Sequence, residues 1–443
     1  MARTPNLESI STRLQRIAHL AQEDRSRAFV SLAHHVDLEF LREAYRRTRK
    51  DGAPGVDGQT AAEYEERLEE NLQSLLDRFK SGHYKAPPVR RVYIPKGSDP
   101  LKKRPIGVPT FEDKVLQRAV AMVLEAVYEQ DFLDCSYGCR PGRSAHHAIR
   151  DLWKGLMSMG GGWVLEADIQ SYYDNLDHGQ LRNFLDQRVR DGVVRRTLDK
   201  WLKAGVMEEG TVSHPATGTP QGGVISPLLS NLYLHEVLDK WFETTVKPCL
   251  RGQAFLVRFV DDFVLVFQLE SDARRVLEVL PKRFDRYGLR LHPDKTRLMR
   301  FEPPAGEAER GKTQQPKGSR SFEFLGFSHH WGKSRQGHWV VKRKTASNRI
   351  TRFLRKMNLW CQGNRHTPIA WQHSQLISKL RGHNQYYGIT GNFKALSSTQ
   401  YWVERIWRKW LSRRSRTSKV PWAGFKLLLE RYPLPKPRIC QAA

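Results

Sequence analysis

Two adjacent carboxylates, Asp261 and Asp262, interrupt the largely apolar stretch of residues 255–267. Residues 255–260 and 263–267 predict two β-strands, so the sequence indicates a hairpin whose turn is Asp261-Asp262. The flanking residues are apolar enough to be buried, and a buried pair of carboxylates is costly unless cations neutralise it. The stretch therefore favours a fold that brings cations to the end of a buried hairpin.

A third carboxylate, Asp168, follows the predicted strand of residues 163–167. Carboxylate oxygens are the ligands that Mg²⁺ prefers, and a hydroxyl that attacks phosphorus needs one ion to activate it and another to stabilise the leaving oxygen. Asp168, Asp261 and Asp262 are therefore candidate catalytic residues and ligands of two metal ions. For the Asp261-Asp262 pair alone, a polar turn that caps a hairpin is an equally good interpretation.

The excess of basic residues restricts the partners of the chain. Its 443 residues include 74 Lys and Arg against 47 Asp and Glu, a formal net charge of +27. Such an excess favours a polyanionic partner, above all nucleic acid, over a small-molecule substrate. No apolar run reaches the roughly 20 residues of a membrane-spanning helix, nothing resembles a secretory signal, and the five cysteines lack zinc-ribbon spacing. We expect a cytoplasmic protein with reduced thiols, no membrane partner and two or three packed units.

Regular structure is predicted along most of the chain. Periodic apolar residues predict helices over residues 38–47, 61–79 and 114–128. Residues 89–94 and 101–108 predict a basic hairpin around the turn of residues 97–100. The first half should therefore be rich in helix, with one basic hairpin.

The second half is expected to alternate strands and helices before it becomes helical. Asp177 is a candidate N-cap with Gln180 three residues on. Residues 303–317 are rich in Gly, Pro, Glu and Lys and predict a mobile loop before a strand over residues 322–327. Beyond about residue 342 we expect basic helices rich in tryptophan.

Several motifs occur together in a fixed order. The sequences ADIQSYYD around Asp168, PQGGVISP at residues 220–227 and FVDD at residues 259–262 resemble successive signature blocks of reverse transcriptases. More specifically, the chain resembles the group II intron reverse transcriptase/maturase proteins, from about residue 35 to beyond residue 420. The blocks that carry this closer resemblance are KRPIG (103–107), SYGCRPGRS (136–144), PQG (220–222), FLGF (324–327) and KLRGHNQYY (379–387). Ordered blocks are far more specific than any single one.

The resemblance implies a set of dNTP-binding residues. Tyr173 aligns with the aromatic residue that closes the space for a ribose 2′-hydroxyl and so selects deoxynucleotides. Lys96 and Arg104 align with cations of the fingers that offset triphosphate charge. Gln221, with its glycine neighbours, would let the backbone approach the nucleotide, and Lys295 resembles a palm lysine near the triphosphate. A half-buried core tyrosine and a solvated basic hairpin are the alternative interpretations.

The resemblance also implies metal and primer contacts. It adds the backbone carbonyl of Ile169 to the metal ligands, and it predicts primer or template contacts for Phe259, Val260, Leu325, Gly326, Arg140 and Arg143. This chain has Phe-Val before the aspartates, where the lineage most often has Tyr-Ala. The β-branched Val260 should crowd the ribose of the incoming nucleotide and alter fidelity or processivity. A Val260→Ala enzyme with the same error rate and product lengths would contradict this.

The C-terminal region interleaves cations with aromatic residues between residues 402 and 422. This pattern suits a helix that lies along a duplex or a structured RNA. The candidate RNA-binding residues of this thumb are Arg381, Arg405, Arg408, Lys409, Arg413 and Arg414. Helical spacing equally allows Trp407 and Trp410 to be core residues and the charges to form a solvated face.

The fold that the resemblance implies is α/β and α, the right-hand polymerase arrangement. It has helical fingers, an α/β palm with an antiparallel sheet, and a helical thumb that is the maturase domain X. We expect an N-terminal extension and fingers over residues 1–160, a palm over residues 161–335 with part of the fingers at about 180–220, and a thumb over residues 340–443. The pattern of the endonuclease domain that many relatives append is not found, so no such domain is expected.

The implied function is that of an RNA-directed DNA polymerase, which adds dNTPs to a primer 3′-hydroxyl with two Mg²⁺ ions, or Mn²⁺ in their place. The implied partners are a structured RNA such as a group II intron, a DNA primer or target, and dNTPs; a homodimer stays open. Assistance of intron splicing and mobility is carried over from the family. Two alternatives are a domesticated enzyme of DNA repair or phage defence and a non-catalytic RNA-binding splicing factor. The latter would be expected to lose carboxylates that this chain keeps.

Overall fold

The structure, a computed structural model, describes residues 9–95, 103–208, 210–213, 217–219, 222–304, 321–415, 417 and 419–441. Within these residues the chain has a mixed α/β structure of helices and sheets with antiparallel hairpins. The α-helices are α1 (Ile10–Glu23), α2 (Leu38–Arg47), α3 (Ala61–Glu65), α4 (Leu68–Ser81), α5 (Phe111–Tyr128), α6 (Ala145–Ser158), α7 (His178–Arg188), α8 (Gly192–Lys203), α9 (Ser226–Leu234), α10 (Glu270–Asp285), α11 (Ser347–Gly363), α12 (Ile369–Tyr387), α13 (Phe393–Leu411) and α14 (Trp422–Arg431). The strands are β1 (Val89–Pro95), β2 (Lys103–Val108), β3 (Gly162–Asp168), β4 (Val206–Glu208), β5 (Thr211–Ser213), β6 (Ala254–Phe259), β7 (Asp262–Phe267), β8 (Arg297–Phe301), β9 (Ser321–Phe324), β10 (Phe327–Lys333) and β11 (Trp339–Thr345).

The chain divides into two compact units, each built from two segments. The first unit comprises Met1–Ala148 and Leu165–Leu298, and the second comprises Ile149–Val164 and Met299–Ala443. No helix of the described residues is both long and apolar enough to cross a membrane.

Helix α5 is the centre of the helical part of the first unit. Thr110 caps it by accepting a hydrogen bond from the Asp113 N–H at 3.2 Å, and α1 and α2 pack against it. Most of its residues are buried on every face, the pattern of a helix enclosed by other elements. Its Gln117 side chain accepts a hydrogen bond from the Val224 N–H at 2.8 Å. The helix therefore gives the glycine-rich segment before α9 a fixed support.

The aspartate hairpin consists of β6 and β7, and the strand order of its sheet is β6-β7-β3-β8. The register pairs Phe259 with Asp262, so the turn is Val260-Asp261 and Asp262 is the first residue of β7. The predicted turn, Asp261-Asp262, is therefore wrong by one residue. The physical reason lies at Val260, which adopts a φ of +58°, the left-handed conformation that a tight turn needs and a β-branched residue rarely adopts.

Most predicted elements of the first unit are confirmed, with shifted ends. The predicted helix over residues 61–79 is two helices, α3 and α4, and the one over residues 114–128 is α5, which begins at Phe111. The basic hairpin is formed by β1 and β2, while its predicted turn lies outside the described residues. Asp177 caps α7 as predicted, because its Oδ1 accepts from the Gln180 N–H at 2.7 Å.

The second unit contains the sheet β11-β10-β9 and a helical bundle. The strand predicted over residues 322–327 is a hairpin instead, because Leu325 and Gly326 have φ of +50° and +80°. Two consecutive positive φ angles are what a two-residue hairpin turn of type I′ requires. The predicted loop at residues 303–317 falls almost entirely outside the described residues. Strand β11 extends to Thr345, so the helices begin at Ser347 and not at about residue 342.

The bundle of the second unit packs α11, α12, α13 and α14 around Trp407, which is fully buried. The buried residues of α13 lie three or four positions apart and so form one face: Leu396, Thr399, Val403, Trp407 and Leu411. Trp407 is thus a core residue, and its indole N–H donates to the Gln372 side chain at 2.9 Å.

Candidate active site

Asp261 lies in the turn of the β6–β7 hairpin and is half-buried, whereas Asp262 is exposed. Burial raises the pKa of Asp261, and the charge of Asp168 raises it further, while Arg104 and Lys295 lower it. Charges shift a pKa noticeably only when they lie within a few ångströms or in a poorly solvated site. The charges of Asp168, Arg104 and Lys295 therefore act on the Asp261 carboxylate.

Asp168 is held at the end of β3 by a pairing with residues 290–292. The Asp168 carbonyl accepts from the His292 N–H at 2.8 Å, and Ile169 forms an antiparallel bridge with Leu291. The Lys295 ammonium donates to Asp168 Oδ2 and forms an ion pair with it. The ammonium group of Lys295 is thus bound to Asp168, one of the candidate metal ligands.

Beneath the hairpin turn lies a fully buried arginine, Arg258 in β6. Its guanidinium donates from Nε and Nη2 to the two oxygens of Asp239, at 2.7 and 2.5 Å, and Asp239 is equally buried. Nη1 donates to the Asn231 side chain at 3.0 Å, and Nη2 to the Ser136 hydroxyl at 2.8 Å. A buried ion pair is stable when such additional hydrogen bonds complete it.

The same guanidinium also reaches the turn itself. Arg258 Nη1 donates to the Val260 carbonyl oxygen at 3.1 Å. This bond holds the carbonyl of the residue that has the left-handed conformation, directly before Asp261. Arg258 therefore fixes the backbone from which the Asp261 side chain extends.

Gly138 packs against the other side of the turn. A Cβ atom on Gly138 would lie 2.5 Å from Val260 Cγ2 and 2.6 Å from the Val260 nitrogen, so no larger residue fits without movement of the turn. The Gly138 carbonyl accepts from the Asn231 side chain at 2.7 Å. Because Asn231 also bonds to Arg258, the residues on both sides of the turn belong to one network.

Tyr173 follows Asp168 by five residues, and burial, more than any other cause, raises its pKa to about 12. The charges of Asp261 and Arg104 also act on this hydroxyl. The Thr219 N–H donates to the Tyr173 carbonyl at 2.8 Å. At Gly218, where φ is +93°, a Cβ atom would lie 2.8 Å from that carbonyl oxygen, so glycine is required for this close approach.

The remaining candidate dNTP-binding residues are only partly described. Lys96 and Gln221 lie outside the described residues. Arg104 lies in β2, opposite Ile94 of β1, and is exposed. Gly222, next to Gln221, has a φ of +120°, and a Cβ atom there would lie 2.6 Å from the Gly107 carbonyl oxygen. The glycine-rich segment thus lies against the strand that carries Arg104.

Two predicted primer or template contacts already have partners within the protein. Arg140 is buried; it donates to Glu129 at 3.0 Å and to the carbonyls of Leu133 and Ser136 at 2.7 and 2.9 Å. Arg143 forms an ion pair with Asp134. For Arg140 these bonds indicate a structural role, and a nucleic-acid contact of either residue stays a prediction.

In the second unit, the Leu325-Gly326 turn is anchored to the end of α12. The Tyr386 hydroxyl donates to the Leu325 carbonyl at 2.9 Å, and Leu325 packs with Tyr386 and Tyr387 on a small core around Phe327. The FLGF and KLRGHNQYY blocks, which are separated along the chain, thus contact each other in the folded unit.

The candidate RNA-binding residues of the second unit differ in their surroundings. Arg405 and Arg408 stack on aromatic rings, and Arg408 also donates to the Val420 carbonyl at 2.9 Å. Lys409 and Arg413 lie over the Trp410 ring. Arg414 donates to the Thr367 carbonyl at 2.8 Å, whereas Arg381 lies on the exposed side of α12.

The fit of a metal ion can be judged from the carboxylates. Among the described residues no three His, Cys, Asp or Glu side chains are grouped so as to hold a metal ion, so the three aspartates do not form a closed cage. Burial and the charge of Asp168 nevertheless raise the pKa of Asp261, which is the unfavourable situation that a divalent cation relieves. The donor set consists of oxygens, the kind that Mg²⁺ prefers, so the donors suit such an ion in kind although the described side chains are not grouped around one position.

Comparison with known proteins agrees with this geometry. The family model for reverse transcriptase (RNA-dependent DNA polymerase) matches residues 94–329, more than half of the chain. The chain belongs to the reverse transcriptase family. It is similar to Protein YkfC of Escherichia coli (strain K12), with 38% identity over 301 residues, 59% of this chain and 76% of YkfC.

Other relatives of this reverse transcriptase are named for introns. Group II intron-encoded protein LtrA of Lactococcus lactis subsp. cremoris is 37% identical over 232 residues, 52% of this chain and 38% of LtrA. Nuclear intron maturase 2, mitochondrial, of Arabidopsis thaliana is 29% identical over 239 residues, 41% of this chain and 31% of that protein. The chain therefore spans well under half of LtrA. These matches confirm the resemblance to group II intron reverse transcriptase/maturase proteins.

Sequence reasoning missed the residues that position the aspartates of this reverse transcriptase. Arg258 is the one charged residue in an apolar strand, a signal that a buried partner must exist, but Asp239 is remote in sequence. Gly138 and Ser136 lie in the recognised SYGCRPGRS block, whose contact with the hairpin only the structure reveals. Gly218 could have been suspected from its place between two threonines, but glycine alone is a weak signal.

Proposed function

We propose that this chain is an RNA-directed DNA polymerase, which extends a primer 3′-hydroxyl with dNTPs on an RNA template. The observation that carries the proposal is the ion pair of Lys295 with Asp168 at the end of β3. The charges of Asp168, Arg104 and Lys295 act on Asp261, and those of Asp261 and Arg104 act on Tyr173. Two carboxylates, two cations and an aromatic ring are the groups that a deoxynucleoside triphosphate and its metal ions require. Membership of the reverse transcriptase family supports the same reaction.

In the proposed reaction, the 3′-oxygen forms a bond to the α-phosphorus while the bond to pyrophosphate breaks. Arg104 and Lys295 hold the triphosphate and offset its charge as pyrophosphate leaves, together with Lys96 and Gln221. The ring of Tyr173 excludes a ribose 2′-hydroxyl. Lys295 can serve this role only if it exchanges Asp168 for the triphosphate.

Asp168, Asp261, Asp262 and the Ile169 carbonyl would hold two divalent ions, Mg²⁺ or in its place Mn²⁺. When bound, such ions supply activation of the attacking hydroxyl and stabilisation of the leaving oxygen. Phe259, Val260, Leu325 and Gly326 are proposed to contact the primer and template. The proposed arrangement is that of fingers over residues 1–160 with part at about 180–220, a palm over residues 161–335 and a thumb over residues 340–443.

A role as a maturase is a second candidate, which the names of the relatives favour: LtrA is a group II intron-encoded protein, and another relative is an intron maturase. We propose that the second unit binds structured RNA, with Arg381, Arg405, Arg408, Lys409, Arg413 and Arg414 as candidate contacts. The net charge of +27 suits such a partner.

The test is primer extension on an RNA template with dNTPs and Mg²⁺, comparing the native chain with Asp261→Ala. Asp285→Ala is a matched control, because Asp285 is an exposed carboxylate on α10 of the same unit. Synthesis that is lost in Asp261→Ala and kept in Asp285→Ala supports the proposal. No synthesis by the folded native chain on any template would leave the RNA-binding splicing factor as the better hypothesis.

A second arm of the experiment examines the sugar. Tyr173→Ala should raise the use of NTPs relative to dNTPs by roughly 10- to 100-fold, the range that one steric contact of this size is worth. Tyr173→Phe should behave like the native chain, because it keeps the ring. Equal discrimination in all three proteins would contradict the role of Tyr173.

A further inference from the structure

The last part of the chain returns to α12 and forms one wall of a cleft in the second unit. The cleft, which we call the C-terminal cleft, has a volume of about 720 Å³. Its described lining consists of residues of α12 and of the chain end: Arg381, Gly382, Asn384, Gln385, Pro435, Lys436, Arg438 and Cys440. The volume lies in the range of sites that hold a molecule of moderate size.

Specific contacts fix the wall that the chain end provides. The Cys440 and Gln441 N–H groups donate to the Gly388 carbonyl at 2.7 and 2.9 Å, and Ile389 forms a parallel bridge with Gln441. Leu434 is buried in the core of the helical bundle. A Cβ atom on Gly388 would lie 2.8 Å from the Arg438 carbonyl oxygen, so this approach requires glycine. The cleft is therefore a built feature of the unit.

The charges of the C-terminal cleft have one sign. Arg381, Lys436 and Arg438 are exposed cations, and none of the described lining residues is acidic. No ion pair joins these three side chains to a carboxylate within the described parts of the chain. Three like charges around one cleft repel each other, and an anion in the cleft would relieve that repulsion.

The same lining indicates which part of a nucleic acid it would bind. The described lining residues include no aromatic ring on which a base could stack. They do include Asn384, whose side chain is largely buried, and Gln385, which can donate hydrogen bonds to phosphate or sugar oxygens. Cations and amides without a stacking surface suit a phosphodiester backbone better than a base.

We propose that the C-terminal cleft binds the phosphate backbone of RNA, independently of sequence, through Arg381, Lys436 and Arg438. The identification of the anion as RNA rests on the proposed function, whereas the cleft and its charge do not. Residues 434–441 thereby act as part of the RNA-binding surface, in addition to the helices of the bundle.

The experiment measures binding of the full chain to a fluorescein-labelled oligouridylate by fluorescence anisotropy over a range of KCl concentrations. Each phosphate contact to a single strand contributes about 0.7 to the slope of log affinity against log salt, so the triple variant Arg381→Gln/Lys436→Gln/Arg438→Gln should lose roughly 2 from that slope. At about 0.1 M salt, the same slope predicts an affinity loss of roughly 100-fold. Circular dichroism checks that the variant is folded.

A control variant removes the same charge elsewhere in the second unit. Arg335→Gln/Lys394→Gln/Lys426→Gln changes three exposed cations that do not line the cleft. We expect it to keep most of the affinity and of the salt dependence. Equal losses in the two triple variants, or no loss in the cleft variant, would overturn the proposal.

The outcome for the cleft is separable from that for the polymerase, because binding needs no synthesis. If the folded native chain binds no RNA, the proposed RNA partner fails together with the cleft. If it binds RNA and the cleft variant binds equally well, only the cleft proposal fails.

Discussion

Arg258 in the first unit and Arg405 in the second have the same side chain and opposite surroundings. Arg258 is fully buried and makes hydrogen bonds to three side chains and one backbone carbonyl. Arg405 is exposed, and its guanidinium lies 5.1 Å from the ring centroid of Tyr401, 5.8 Å from that of Trp402 and 5.2 Å from that of Trp422. The protein satisfies the hydrogen-bond donors of Arg258, whereas it contacts Arg405 mainly through aromatic rings.

The difference shows that the cations behind the net charge of +27 serve different purposes: some are used inside the protein, and others are available to a ligand. A buried arginine with a full set of partners has no donor left for a ligand, so it can only fix the geometry of its neighbours. Aromatic rings hold an arginine by its faces and leave most of its edge donors available to phosphates. Sequence alone counts the two as equal cations.

The strongest test of this comparison removes the buried guanidinium. Arg258→Met leaves the Asp239 carboxylate buried without a partner, so we expect a loss of about 3–5 kcal/mol in the free energy of unfolding. Urea denaturation measures this loss. The same change at the exposed Arg405, Arg405→Met, should alter the unfolding free energy by less than about 1 kcal/mol.

The double variant Arg258→Met/Asp239→Leu separates stability from positioning. Apolar replacement of both partners of a buried ion pair often restores stability. It cannot restore the bond to the Val260 carbonyl, so kcat for primer extension should remain low while KM for dNTP changes little. Recovery of native kcat in the double variant would mean that Arg258 serves stability alone.

A smaller effect is expected from the glycine on the other side of the turn. Gly138→Ala places a Cβ atom 2.5 Å from Val260 Cγ2, and such overpacking costs about 1–3 kcal/mol. Because the turn must move, kcat for primer extension should fall as well. Gly363→Ala is the control, since a Cβ atom there meets nothing within 4 Å.

Val260→Ala in the Gly138→Ala background should recover part of the loss, because it removes the Cγ2 atom that is met first. The contact with the Val260 nitrogen remains, so recovery should be incomplete. An unaltered unfolding free energy and kcat in Gly138→Ala would show that the turn is less tightly held than the distances indicate.

The sequence predicted the parts of the site that depend on local pattern. Apolar runs placed the strands of Asp168 and of the Asp261-Asp262 pair, and the cap at Asp177 was confirmed in detail. The turn was wrong by one residue, because an Asp-Asp pair is the better turn former and no local rule predicts a left-handed valine.

The contacts between distant segments were not predictable from local pattern. The hydrogen-bond partners of Arg258 come from two other parts of the chain: Ser136 from one, and Asn231 and Asp239 from the helical segment of residues 226–239. Likewise, the C-terminal wall of the cleft depends on the return of residues 434–441 to Gly388. Helical spacing left Trp407 open between core and ligand contact, and only packing of the bundle decided for the core.

The second unit also contains a buried ionisable group, and its lack of partners contrasts with Arg258. His329 in β10 is fully buried and stacks on Phe322, with ring centroids 4.7 Å apart. Neither ring nitrogen has a hydrogen-bond partner among the described residues. Burial, followed by the charge of Arg343, lowers the pKa of His329 to about 3. The native state therefore keeps this ring neutral at pH values where the unfolded chain binds a proton.

The sign of the pH dependence follows from this. Below the ordinary histidine pKa of about 6.5, His329 is protonated in the unfolded state but stays neutral in the native state. The free energy of unfolding should therefore decrease as the pH falls from about 6.5 towards 3. Between pH 7 and pH 5 we expect a loss of roughly 1–2 kcal/mol from this residue. His329→Leu should reduce the difference between urea denaturation at the two pH values. An unchanged difference would assign the acid sensitivity to other groups, such as His383, whose pKa burial lowers to about 4.

The smallest change in stability, and the one most specific to the comparison, is expected at Arg405. Its Nη1 donates to the Tyr401 hydroxyl at 2.5 Å, a bond that Arg405→Lys cannot reproduce with the same planar geometry. Since the group is exposed, Arg405→Lys should change the unfolding free energy by only a few tenths of a kcal/mol. Arg405→Gln, which removes the charge, should lower the affinity for an oligouridylate by roughly five- to eightfold at about 0.1 M salt, if the side chain contacts one phosphate. If Arg405→Gln lowers the unfolding free energy and leaves the RNA affinity unchanged, Arg405 has a structural role, as Arg258 does.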